Sequence, residues 1–170
     1  MVSQTTFSGN RGEDYDLLLR QARELWEMDL PLSTNLANMT ALLNQCLVRI
    51  NWVGFYLWNA ARNQLVLGPF QGLPACTRID IGKGVCGTAV SSRTTQLVPD
   101  VHAFPGHIAC DSASNSEIVV PIIRDGIVLG VLDVDSPDAS RFDASDKLWL
   151  ERFVDVLLPR WPPPEEENTE

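Results

Sequence analysis

Four cysteines and a set of carboxylates are the residues of this 170-residue chain that could do chemistry. Cys76, Cys86 and Cys110 lie ten and then twenty-four residues apart, in a stretch rich in glycine and turn residues. No two of them have CxxC spacing, so a structural zinc site is not supported and no metal is expected. Three thiols in one loop-rich region could meet, form a disulfide and part again, or could simply pack. Cys46 falls on the apolar stripe of a predicted helix and reads as a small buried hydrophobe. Asp133 and Asp135 alternate with Leu132 and Val134. In a strand that puts both carboxylates on one face. Burying such a pair needs partners, and the alternative is a strand end that reaches solvent before Ser136-Pro137. Glu117 opens the preceding strand, and a hairpin through Asp125-Gly126 brings it to the same end. Three grouped carboxylates can hold a cation, and crowding raises at least one pKa until it becomes a proton donor.

Trp52, Gly54 and Tyr56 share a face of another strand. They form either core packing or a notch between rings that suits an apolar or cationic group. Gly82-Lys-Gly-Val-Cys-Gly leads into Thr88-Ala89-Val90. A glycine turn of this kind leaves backbone N–H groups for an anion, with Lys83 either nearby or merely solvated. His102 and His107 flank Phe104-Pro105-Gly106 and are read as structural hydrogen-bonding residues.

These groups need a frame. Helical spacing predicts a helix over 14–28 and a second after Ser33 or Thr34, either of which could cap it. Strands are predicted over 52–58, 65–70, 117–123 and 127–135, the last two joined by an Asp-Gly turn. Asp143 caps a final helix that Pro159 ends. Residues 71–116 read as irregular, with brief elements at 79–81, 89–90 and 97–98. This order predicts an α+β fold: a central antiparallel sheet with helices on one face and a long active-site loop region over the other face or edge. The domain is placed at 14–158, between a flexible N-terminus (1–13) and a Pro/Glu-rich disordered tail (159–170).

Composition narrows the partners. Apolar residues at 45% and charged residues at 21% describe a globular chain. A net charge of -9 disfavours nucleic acid and anionic membrane surfaces. The N-terminus has no secretory pattern and no apolar run is long enough to span a bilayer, so a cytoplasmic setting with reduced thiols is expected.

Several ordered motifs occur together: Asn51-Trp-x-Gly-Phe-Tyr-Leu, Leu67-Gly-Pro-Phe-Gln-Gly, Gly82-x-Gly-Val-Cys-Gly-Thr-Ala, Asp100-Val-His-x-Phe-x-Gly-His-Ile-Ala-Cys-Asp, Ser114-Asn-Ser-Glu-Ile-Val and Gly130-Val-Leu-Asp-x-Asp-Ser. From about residue 14 to 158 the chain resembles the free methionine-R-sulfoxide reductase family, a catalytic branch of the GAF fold. The resemblance implies a six-stranded antiparallel sheet. It implies reduction of free L-methionine-(R)-sulfoxide to methionine, with no bound cofactor and with thioredoxin or another dithiol as external reductant. It also implies a homodimer. By the same resemblance Cys110 is the catalytic thiol, Cys76 the resolving one and Cys86 a further exchange partner. Glu117, Asp133 and Asp135 form the acidic triad, with Glu117 or Asp135 as acid. Trp52 and Tyr56 are its pocket aromatics. For the carboxylate of such a substrate, backbone N–H groups near Ser114-Asn115-Ser116 or those of the glycine turn are the candidates. The rival expectation is a GAF sensor that binds a nucleotide or metabolite without chemistry.

Overall fold

The computed structural model describes residues 6–106 and 112–162. Cys110, His107 and residues 163–170 of the expected tail lie outside the described residues. In chain order the elements are α1 (Arg11–Leu25), α2 (Leu32–Cys46), β1 (Trp52–Asn59), β2 (Gln64–Gln71), β3 (Arg78–Asp80), α3 (Gly84–Ser92), β4 (Gln96–Val98), β5 (Ser116–Arg124), β6 (Ile127–Ser136) and α4 (Ala144–Leu157). The strands form one sheet in the order β3-β2-β1-β6-β5-β4, and every neighbouring pair is antiparallel. The predicted α+β class and six-stranded sheet are therefore present. The Asp125-Gly126 turn joins β5 to β6 with φ of 52° and 77° at its two residues. That double positive φ is the hairpin conformation whose twist matches the strands.

Alternation along the strands splits the apolar residues into two layers. Val53, Phe55, Ile118, Val120, Leu132 and Val134 face α1, α2 and α4, forming the larger core with Leu18, Leu36, Leu43, Leu150 and Phe153. Trp52, Tyr56, Val119 and Val131 face the other way, against Val85, Ala89 and Val90 of α3. The helical cover of the first face follows from the apolar periodicity of α1, α2 and α4.

Several boundaries differ from those expected. Helix α1 begins three residues before Asp14, because Asn10 caps it with its side chain on Glu13 N. Asp14, buried in the first turn, accepts from Ser8 N, Ser8 Oγ and Gly9 N, so the residues before the helix are tied down. Helix α2 starts at Leu32 after Pro31, and Ser33 and Thr34 sit inside its first turn with no side-chain cap. Beyond Leu157 the chain makes a short 3₁₀ turn, Leu158–Arg160, and buries Trp161 in the larger core. Arg124 Nη1 donates to Trp161 O at 2.6 Å. The packed region therefore extends past 158. Residues 71–116 also hold more regular structure than expected: β3, β4 and above all the nine-residue helix α3. With two glycines and with serines at its end, α3 lacks the polar–apolar stripe that reveals α1 and α4 in sequence. Among the described residues, no helix is long and apolar enough to cross a membrane.

Candidate active site

Register across three strands assembles the site. Trp52 of β1 pairs with Asp135 of β6, which pairs on its other side with Glu117 of β5. One row further along, Gly54 pairs with Asp133 and Asp133 with Val119. In an antiparallel sheet paired residues share a face. Trp52, Glu117, Asp133 and Asp135 therefore all project toward α3. The neighbouring row supplies Tyr56, which pairs with Val131. These side chains line a cleft of about 530 Å³ together with Leu73, Pro74, Ala75, Lys83, Gly84, Val85, Cys86 and Ser114.

The ring wall is built tightly. Trp52 stacks on Tyr56 with ring centroids 5.9 Å apart and on Phe70 at 5.3 Å. Its indole Nε1 donates to Leu73 O at 3.1 Å. The notch expected over Gly54 is filled by these rings: a Cβ there would meet Phe70 Cβ at 2.4 Å and the Trp52 ring at 2.6 Å. Gly54 thus allows the indole to lie flat, and the open space sits beside the wall, above the carboxylates.

Cys86 is in the first turn of α3, not in irregular backbone, and is 4% exposed. Its Sγ donates to Asp133 Oδ2 at 3.4 Å. Asp133 is 6% exposed, and its Oδ1 is buried with no hydrogen-bond partner among the described residues. Ligand atoms of Cys86, Glu117 and Asp133 lie within 4.8 Å of one another. Burial and the crowd of negative neighbours push the Glu117 carboxyl well above its ordinary range and do the same to the Cys86 thiol. Burial also raises Asp133, to about 6, against the hydrogen bonds from Cys86 and Glu117 that favour its ionised form. Burial and its neighbours thus drive Glu117 toward its neutral, proton-holding form, while two hydrogen bonds favour the ionised form of Asp133. Burial likewise raises the Tyr56 hydroxyl, with Asp133 adding to it.

The opposite rim is cationic in character. The N-cap of α3 is Lys83, which gives no side-chain cap, and Gly87 N is the first amide bonded back into the turn, to Lys83 O at 3.0 Å. The N–H groups of Gly84, Val85 and Cys86 precede it at the positive end of the helix, on the cleft wall.

Of the expected site residues, Ser116 falls elsewhere, while its neighbour Ser114 lines the cleft. Ser116 lies outside the cleft, fully buried on the other face of β5. Its Oγ donates to Asp138 O at 2.6 Å and accepts from Arg141 N at 3.2 Å. Strand alternation dictates this, since Ser116 and Glu117 must point apart. Cys46 is half-buried, remote from the cleft, with its thiol raised to about 12 mainly by burial. Ser114, two residues before Ser116, lines the cleft instead and accepts from Asn51 Nδ2 at 3.0 Å. His102 hydrogen-bonds Asn115 Oδ1 at 3.0 Å and lines no part of the cleft. Cys76 is disulfide-bonded, whereas Cys46 and Cys86 are free thiols.

Residues 32–157 match the GAF domain family, and the chain belongs to it. Within that class it belongs with the free methionine-R-sulfoxide reductases. It is 48% identical over 148 residues to the Escherichia coli protein of that name, covering 87% of this chain and 88% of the relative. It is 47% identical over 154 residues to the Saccharomyces cerevisiae protein of that name, covering 87% and 86%. The X-ray structure of free methionine-R-sulfoxide reductase from Neisseria meningitidis in complex with its substrate superposes with a TM-score of 0.88. The two are 42% identical, with 94% of this chain and 95% of that one covered.

Proposed function

We propose that this chain reduces free methionine-(R)-sulfoxide to methionine. The observation that carries this reading is a cleft with Glu117, Asp133 and Asp135 grouped on one side and the N-terminus of α3 on the other. A free amino acid brings an ammonium, a carboxylate and, here, a sulfoxide oxygen. Asp133 and Asp135 receive the ammonium, and the buried Oδ1 of Asp133 offers a lone pair for it. The N–H groups of Gly84 to Cys86, with Lys83, receive the carboxylate. Glu117 holds the proton that the sulfoxide oxygen needs before its sulfur becomes electrophilic. A peptide-bound residue has neither terminal charge and gains nothing from this pair of opposed rims.

The thiol steps follow from the cysteines. Cys110 attacks the sulfoxide sulfur, the oxygen passes to the cysteine, and methionine leaves; the cysteine becomes a sulfenic acid and the sulfoxide is reduced by two electrons. Cys76 attacks that sulfenic acid, releasing water and forming a disulfide. An external dithiol such as thioredoxin reduces the disulfide and is itself oxidised. Ser114, four residues after Cys110 in sequence, lines the cleft. Four residues of chain reach at most ~14 Å, which supports Cys110 as the nucleophile. The disulfide at Cys76 supports a redox role for that thiol.

Single-turnover assays on reduced protein test this. Cys110→Ser yields no methionine, whereas Cys76→Ser yields one equivalent and stops. One mole of methionine per mole of Cys110→Ser protein would refute the assignment. Free R-sulfoxide is expected to be consumed, and its acetylated, amidated form left intact.

A further inference from the structure

Cys86, Glu117 and Asp133 invite a second reading, as ligands. They come from α3, β5 and β6, three elements locked together by the sheet and the smaller core. Among the described residues, theirs is the cluster of thiol and carboxylate groups whose donor atoms gather within 4.8 Å, and all three are buried. For zinc, metal–sulfur bonds of about 2.3 Å and metal–oxygen bonds of about 2.0 Å at a tetrahedral angle separate the two donors by ~3.5 Å. Cys86 Sγ and Asp133 Oδ2 stand 3.4 Å apart. The second oxygen of Asp133, Oδ1, is buried inside the cleft without a hydrogen-bond partner among the described residues. A lone pair left unmet at that depth is costly unless something occupies it.

We propose that Cys86, Glu117 and Asp133 form a binding site for a borderline-soft divalent transition-metal ion, zinc above all. The thiolate selects against magnesium and calcium, which take oxygen ligands in larger hydrated shells. One thiolate and two carboxylates against a dication leave a net charge of -1. The thiol proton of Cys86 and the carboxyl proton of Glu117 go to solvent as the ion enters. The cleft provides the entry path, since all three residues line it. An ion here sits on the groups assigned above to substrate, so zinc would act as an inhibitor. That consequence rests on the proposed reductase function, and the site itself does not.

The test uses protein with its Cys76 disulfide intact, in which Cys86 and Cys46 are free thiols. Cobalt(II) reports the site through a thiolate-to-metal charge-transfer band, and zinc is titrated against a chromophoric chelator. The expected result is one equivalent of either metal, with the band retained in Cys46→Ser and lost in Cys86→Ser. Zinc affinity falls by at least ~10²-fold in Cys86→Ser, beyond what loss of an outer hydrogen-bonding partner produces. If Cys86→Ser does not fold, Glu117→Gln decides: it keeps the sulfur and must lose more than ~10²-fold. No stoichiometric binding, or a band that survives Cys86→Ser, overturns the proposal. No turnover is measured, so failure of the reductase assays leaves this result standing, and the reverse also holds.

Discussion

On the face of the sheet covered by α1, α2 and α4, the buried carboxylate Asp146 is met from every side. Tyr15 Oη donates to it at 2.6 Å, Arg11 at 2.8 Å and Arg141 at 3.2 Å, and Asp143 N closes a capping box on it at 3.0 Å. On the face covered by α3, the buried Asp133 is hydrogen-bonded by a thiol and by the Glu117 carboxyl, has Asp135 as a further acidic neighbour, and keeps one oxygen without a partner among the described residues. The same strands serve both layers. What differs is whether buried polarity is satisfied inside the protein or kept for something that enters. Stability alone would favour the first arrangement, as buried groups are normally paired. The second is tolerated where function uses it.

Glu117→Gln breaks the comparison most sharply. It preserves shape and a hydrogen-bonding end but removes the transferable proton. Loss of a general acid lowers the single-turnover rate by ~10²–10⁴-fold, equivalent to ~3–5 kcal/mol of barrier. The measurement is methionine release after mixing reduced protein with free R-sulfoxide. A rate within tenfold of the parent would remove Glu117 from the acid role.

Asp146→Ala sharpens it from the other side. Removing one partner of a buried ionic network strands the others, at a cost of ~3 kcal/mol. At ~2–4 °C per kcal/mol for a chain of this size, the melting temperature falls by ~6–12 °C. The turnover rate of the folded protein is unchanged, because Asp146 does not line the cleft. Calorimetry and the single-turnover assay separate the two effects. An intact melting temperature would show that the network around α4 is surface decoration.

The two faces also differ in how legible they were. Periodicity revealed α1, α2 and α4, and the Asp125-Gly126 turn fixed the β5–β6 register, because each signal is local and repeats along one element. Alternation alone put Asp133 with Asp135, and the hairpin brought Glu117 to them. Helix α3 was hidden, as its glycines and small residues serve close approach: a Cβ at Gly87 would lie 2.3 Å from Asp80 O. Cys86 was consequently read as a loop residue. The serine segment at 114–116 suggests an anion site, but strand alternation turns the Ser116 side chain away from Glu117, and only the longer-range fold brings Ser114 to the cleft. The seat of Trp52 over Gly54, the Asn51–Ser114 contact and the packing of Trp161 depend on long-range neighbours that spacing does not encode. The motif resemblance named the chemistry. The register explains why those residues can share it.

Asp133→Asn gives the smallest and most discriminating effect, since it raises stability while it harms binding. The folded-state pKa of Asp133, about 6, lies above its ordinary value of 3.8. Between those values the folded protein holds a proton that the unfolded chain has released, so stability declines as pH rises. Below pH ~4 both states are protonated and the penalty vanishes; above pH ~6 it is complete. Asparagine carries no such penalty and still offers an oxygen to the Cys86 thiol. The variant therefore melts a few degrees above the parent at pH 7–8, with ~1 kcal/mol corresponding to ~2–4 °C, and the two curves converge near pH 4. For the parent, kcat/KM for free methionine sulfoxide falls as pH drops through about 6, where Asp133 loses the charge that receives the ammonium. Melting curves from pH 4 to 8 decide the matter. A variant less stable than the parent at pH 7, or a difference that does not change with pH, would mean that the α3 face satisfies its carboxylates as fully as the face that holds Asp146.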